Sequence, residues 1–198
     1  MSSLPVPARF AIAATMLLGL AGCDTFGLNL GGSSAPAAAT SRAIDYRADD
    51  LTAVVFAVDA PTSLRLMPSG SLLTLDISGD KGGKHLKAGL VLADGDAVDG
   101  VLPPAGAGRT YFLLELSDKD KAAMRDAQKW LRSQADDARP VTVLNVIPKF
   151  CAGSGADASA ATYSVIPALP GTLLLAVTTD SHASDLFAST GGNPPACS

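Results

Sequence analysis

Thiol chemistry is the most specific signal in this sequence. Cys23 closes the run Leu20, Ala21, Gly22, Cys23, while Cys151 and Cys197 stand far away in the C-terminal part of the chain. A cysteine sulfur is a soft nucleophile that can take up an alkyl chain as a thioether, and two such sulfurs can join by oxidation. Cys23 follows an apolar leader, which leaves Cys151 and Cys197 as the remaining pair. In a chain exported to an oxidising compartment such a pair becomes a disulfide; two unpaired buried thiols or a shared metal are the alternatives. The bond would pin the C-terminal tail to the end of a strand. Closing a loop of about 47 residues would stabilise by roughly 4 kcal/mol in the chain-entropy account.

Other chemistry-bearing residues fall short of a site. Gly79, Gly83 and Lys84 approach a phosphate-binding loop, but the spacing is one residue short and His85 stands where a hydroxyl must hold magnesium. Asp94, Asp96 and Asp99 approach a calcium loop, yet the third acid is one place late and the position for the closing glutamate is Ala105. Ser78 and Lys81 have the spacing of an acyl-transfer serine and lysine without the companion motifs. His85 and His182 lie in polar turns with no nucleophile or orienting acid in sequence. Glu115 is the sole glutamate and ends an apolar run. No catalytic residue, metal ligand or cofactor is assigned from these patterns.

The leader places the protein. After Arg9, residues Phe10 to Gly22 are apolar or small and uncharged. That run is too short for a bilayer-spanning helix, which needs about 20 residues, and has the layout of a secretory signal. Its end, Leu20 to Cys23, resembles the lipobox of bacterial lipoproteins. The resemblance covers the signal alone. It implies cleavage after Gly22, diacylglycerol on the Cys23 thiol and acylation of the new amine, hence a chain anchored to a membrane without crossing it. In enteric lipoproteins an aspartate after that cysteine, here Asp24, favours the inner membrane. Residues 23–43 are read as the lipidated N-terminus and a flexible spacer poor in large side chains. Counting Asp24 to Asp50, its root-mean-square reach is about 29 Å.

The elements that must position any site lie in residues 44–198. Net charge is −4, from 15 Lys and Arg against 19 Asp and Glu, so the chain lacks the basic footprint of a nucleic-acid binder. Short apolar runs bounded by turn residues predict strands over 51–58, 71–77, 86–93, 110–116, 141–150, 162–166 and 172–179. Pro148 interrupts the fifth and demotes that end to an edge or bulge. Residues 118–138 carry a helical stripe of Ala123, Ala127, Trp130, Leu131 and Gln134, with Ser117 as N-cap and Pro140 as the stop. The expected fold is mainly β: a two-sheet immunoglobulin-like sandwich of about seven strands with one crossover α-helix.

A lipid anchor, a spacer, a stapled sandwich and no catalytic constellation together predict a non-catalytic envelope protein that faces the periplasm and binds another envelope protein. Sheet edges accept such partners by strand addition, and Val143, Val146 and Phe150 beside the interrupted edge are the expected contacts. The alternative is a small-ligand or lipid-binding accessory component of an envelope transport system.

Overall fold

A computed structural model describes residues 41–79, 82–135, 140–153 and 160–197. The leader, Cys23, the spacer to residue 40 and Lys81 lie outside the described residues. The chain is mainly β. In order it forms β1 (Val55–Pro61), β2 (Leu64–Leu66), β3 (Leu72–Gly79), β4 (Gly82–Leu92), β5 (Arg109–Leu116), α1 (Asp118–Arg132), β6 (Val141–Ile147), β7 (Phe150–Ala152), β8 (Thr162–Leu169), β9 (Thr172–Leu173) and β10 (Thr178–His182).

Alternation of side chains sets the register. In β3, Leu73, Leu75 and Ile77 point inward and are buried, while Asp76 and Ser78 reach solvent. The antiparallel ladder brings Leu75 opposite Leu86 of β4 and Leu144 of β6, so one apolar layer crosses three strands. The hydrogen-bonded order is β10, β8, β1, β5, β4, β3, β6, with β9 also on β8; β2 and β7 form a separate two-stranded sheet. The long strand β4 turns the sheet on itself. Its residues Gly82 to Gly89 pair with β3, and Leu90 to Leu92 pair with β5. Side chains from both halves then meet in one core: Leu73, Leu75 and Leu144 share a cluster with Phe56, Val58, Leu114 and Val165. Phe150 sits edge-on to both Phe112 and Tyr163, with ring centroids 6.5 and 5.9 Å apart.

Helix α1 forms where the charge pattern supports it. Asp118 and Asp120 lie in its first turn, and Lys129 and Arg132 in its last, matching the helix dipole. Ser117 is the N-cap by backbone geometry, but its hydroxyl donates to the Asp120 side chain at Oδ2, 2.6 Å away, and accepts no helix N–H. The same oxygen accepts the Gly89 N–H at 2.8 Å, tying the helix start to β4. The buried stripe is Met124, Ala127, Gln128 and Leu131; it keeps Ala127 and Leu131 of the expected one, with Trp130 half-buried beside it, but Ala123 is exposed. A polar residue inside the stripe hid the true face. Gln128 is buried because Leu51 N–H donates to its Oε1, and its Nε2 donates to the carbonyls of Tyr46 and Asp49. The helix ends at Arg132, six residues before Ala138, where Ser133 takes the C-cap.

The sequence-based strand 141–150 is two strands. Pro148 has no N–H to give a ladder, so β6 stops at Ile147 and β7 starts at Phe150 with a new partner, β2. Strand β2, a three-residue piece, had no sequence signal long enough to find.

Candidate functional site

Strand β6 ends the sheet and pairs only with β3. Its seven residues, VTVLNVI, carry no charge, and Pro140 and Pro148 flank them. Edge strands of folded proteins are commonly blunted by lysines, bulges or very short length. Strand β6 has none of these. Its outward row is mostly apolar: Val141, Val143 and Ile147 are 63, 46 and 41% exposed, with the exposed Asn145 standing between the last two. Burial of the inward row, Leu144 and Val146, holds the strand in register so that the outer edge is presented without slippage.

Only one of the three expected contact residues is at that surface. Val143 is exposed, whereas Val146 is 3% exposed and Phe150 is fully buried. Both belong to the core, and this corrects the sequence reading. Val146 lies an odd number of residues from Val143 and so points to the opposite face; Phe150 belongs to β7. Ile147 lies within the expected contact span Val143 to Phe150, and period-two counting from Val143 places it on the exposed side.

Two concave regions open along this edge. A cleft of about 370 Å³ is lined by Thr142 to Asn145 of β6 on one side and by Ile44, Leu175 and Val177 on the other. Its far wall belongs to the opposite end of the sheet. The Leu174 N–H donates to the Pro167 carbonyl and the Val177 N–H to that of Val165, so residues 174–177 run beside β8 between β9 and β10. The two edges of the curled sheet therefore face one cleft. A strap at the start of the described chain lines it as well: Leu175 N–H donates to the Arg42 carbonyl, and Ala43, Ile44 and Tyr46 follow. Arg42 and Asp49 pin the strap by a two-point ion pair. That guanidinium, with the Asp45 N–H, holds the Asp49 carboxyl below its ordinary range. Burial raises the Tyr46 phenol. A neighbouring cleft of about 500 Å³ continues past Arg47 and Leu131.

The second region lies past the other end of β6. A pocket of about 370 Å³ is lined by Ile147, Pro148, Lys149, Leu186, Phe187, Asn193 and Pro195. Its outer wall is the C-terminal tail. Cys151 and Cys197 form a disulfide, with Cα atoms 5.0 Å apart. The Ala152 N–H donates to the Pro195 carbonyl and the Cys197 N–H to that of Ala152, so the tail lies along β7. The pair found by cysteine counting thus builds one wall of the pocket. Lys149 is placed by its neighbours: its N–H donates to the buried Ser71 hydroxyl, and its stem crosses Gly70. Gly70 has φ +107° and leaves no room for a Cβ, which would stand 2.8 Å from Lys149 Cδ.

The remaining chemistry-bearing residues do not converge. Gly79 and Gly82 pair at the end of the β3–β4 hairpin, and Gly83 and Lys84 belong to the ladder after it. His85 Nδ1 meets Asp76 Oδ1 across that ladder at 2.5 Å, both exposed. Asp94, Asp96 and Asp99 surround a single 3₁₀ turn over Gly95–Val98. Glu115 faces Lys121 at 3.6 Å, and His182 is exposed at the end of β10. Among the described residues no three His, Cys, Asp or Glu side chains come together as a metal site would require, and no helix is long and apolar enough to cross a membrane. No protein-family model matches the chain, no curated protein matches its sequence, and no solved structure matches its fold.

Proposed function

We propose that this chain is a non-catalytic lipoprotein of the bacterial envelope, anchored through Cys23 and facing the periplasm, that binds another envelope protein by strand addition to β6. The observation that carries the binding is the uncharged, one-sided edge Val141–Ile147, whose exposed row is β-branched at Val141, Val143 and Ile147 and interrupted by Asn145. Main-chain groups along such an edge supply affinity to an extended partner, and the side chains beside it supply selection. The curled sheet, with β4 passing from one half to the other, is read here as an immunoglobulin-like two-layer sandwich whose halves share the core. Inner-membrane retention is the favoured location, from Asp24.

The test is a photo-crosslinking amino acid placed at Val143 or Ile147 in cells, with Lys119 as the control position. The expected result is one envelope-protein adduct at the two edge positions, absent at Lys119 and lost in Cys23→Ser. Equal adducts at edge and control positions, or none at either edge position, would overturn the reading.

A second reading has its own observation. The pocket beside Phe187 and Pro195 is apolar and within the size range of small-ligand sites, about 300–1,000 Å³, as an accessory of a transport system would need. Native mass spectrometry of the full chain released from detergent tests it, since a copurifying apolar ligand favours this reading over the first.

A further inference from the structure

The β6 edge has a concave region at each end, and their separation sets a length. The cleft faces Thr142 to Asn145, and the pocket begins at Ile147 and continues through Lys149. The β6-side lining residues, 142–145 and 147–149, are therefore centred four to five residues apart, roughly 13 to 16 Å at about 3.3 Å per residue, and four is the even spacing in that range. An even spacing matters, because side chains four apart on a strand point to the same side. Charge is also unevenly placed. The cleft lining holds no charged residue, and the pocket holds one, Lys149. Among the described residues no carboxylate lies within ion-pair distance of Lys149, and its exposed side chain passes over Gly70.

We infer that the edge selects an extended segment of a partner protein with two bulky apolar side chains four residues apart and an acidic residue at the end that meets Lys149. This rests on the strand-adding edge proposed above. Strand β6 is antiparallel to β3, and an added strand antiparallel to β6 continues that pattern. The acidic residue then comes first in the partner. The first apolar side chain enters the pocket against Phe187 and Pro195, and the second enters the cleft against Ile44 and Leu175. The uncharged central part meets the uncharged strand. A segment with charges there would set them against Val143 and Leu175, in a cleft whose own lining is uncharged.

The test uses the full chain in detergent micelles and fluorescent peptides, with empty micelles as the blank. The reference peptide is acetyl-Asp-Leu-Thr-Val-Thr-Leu-Thr-amide. Binding is expected to weaken at least tenfold when the two leucines are moved to a spacing of three. Replacing Asp by Asn in the peptide should weaken it about threefold, a difference that disappears in Lys149→Ala. Leu175→Asp, at a half-exposed position, should weaken the reference peptide at least fivefold. Methylating alternate peptide nitrogens should abolish binding in one frame and spare it in the other, a signature of strand addition that needs no protein variant. Equal binding at all spacings overturns the inference, as does an Asp-to-Asn difference that persists in Lys149→Ala. A β6-mediated dimer that Ile147→Lys dissociates also overturns it, in favour of a second copy as occupant. If crosslinks at Val143 persist while the peptide series is flat, the edge reading stands and only the selection rule fails.

Discussion

Arg42 grips Asp49 with both terminal nitrogens, at 2.8 and 2.6 Å from the two carboxylate oxygens, and so holds the strap that walls the cleft. The Asp49 carboxyl is buried, and its folded-state proton affinity is depressed, first by that hydrogen bond. Asp120 is depressed through Ser117, and Asp50 through Thr52. Depressed carboxyls contribute stability that is fully present above the unfolded-chain value, near about 3.9, and is lost as pH falls through the folded-state values. Urea midpoints should therefore be level with respect to these groups from pH 7 to about 5 and then fall below pH 4. Asp49→Asn should lower the midpoint at pH 7 and flatten the acid limb; an unchanged limb counts against the ion pair as a stabilising contact.

Gln128 serves three backbone groups from inside the helix stripe. Gln128→Leu keeps an apolar volume but orphans the Leu51 N–H and two carbonyls. Expected destabilisation is about 2 to 4 kcal/mol, read as a lower urea midpoint with an unchanged slope. A loss below about 0.5 kcal/mol would mean that the Tyr46–Leu51 segment does not depend on the helix.

The disulfide divides stability from pocket geometry in a measurable way. Cys151 and Cys197 are 46 residues apart, and loss of the bond in Cys197→Ala should cost about 4 kcal/mol in the chain-entropy account. Hydrogen exchange should then rise at Ala152 and Cys197 or its replacement, whose amides tie the tail to β7, before it rises at Leu75. Uniform protection changes across both regions would show that the tail is not a separate unit.

Gly83, just past the β3–β4 turn, and Gly95, in the 3₁₀ turn that follows β4, make a steric contrast. A Cβ at Gly83 would stand 2.6 Å from the Ile77 carbonyl oxygen, whereas one at Gly95 would meet nothing. Gly83→Ala is expected to destabilise by about 1–3 kcal/mol, and Gly95→Ala to stay within about 0.5 kcal/mol of the parent. Thermal melts of both variants check the pair together.

Lysines on the edge separate folding from binding. Val143→Lys and Ile147→Lys replace side chains already in solvent, so the melting temperature should move by no more than about 2 °C while edge crosslinking disappears. A large loss of stability would show that this row is packed.

How much of this could be read from residue order depends on the range of the interaction involved. Leu73, Leu75 and Ile77 announce β3 because alternation is local, and Asp118 to Arg132 announces α1 because its charges follow the dipole. Cysteine counting found the Cys151–Cys197 pair without geometry. The helix face was misplaced by one residue because Gln128 is polar by type and buried by its three distant backbone partners. The side that Val146 faces follows from period-two alternation once Val143 is placed, whereas Phe150 is buried through the pairing of β7 with β2, which sequence order does not put beside it. The cleft was not legible at all. It exists because β4 changes partner at Gly89 and Leu90, which brings Leu175 and Thr142 from opposite ends of the sheet to one place.

The strap gives the fold a mechanical polarity. Tension arriving from the N-terminal side of Arg42 meets first the Leu175 hydrogen bond and the Asp49 ion pair, and only afterwards the β1 ladder. Pulling there would peel Ala43 and Ile44 off the cleft wall and widen the groove before any strand unzips, so that load on this end of the described chain reaches the β6 cleft first.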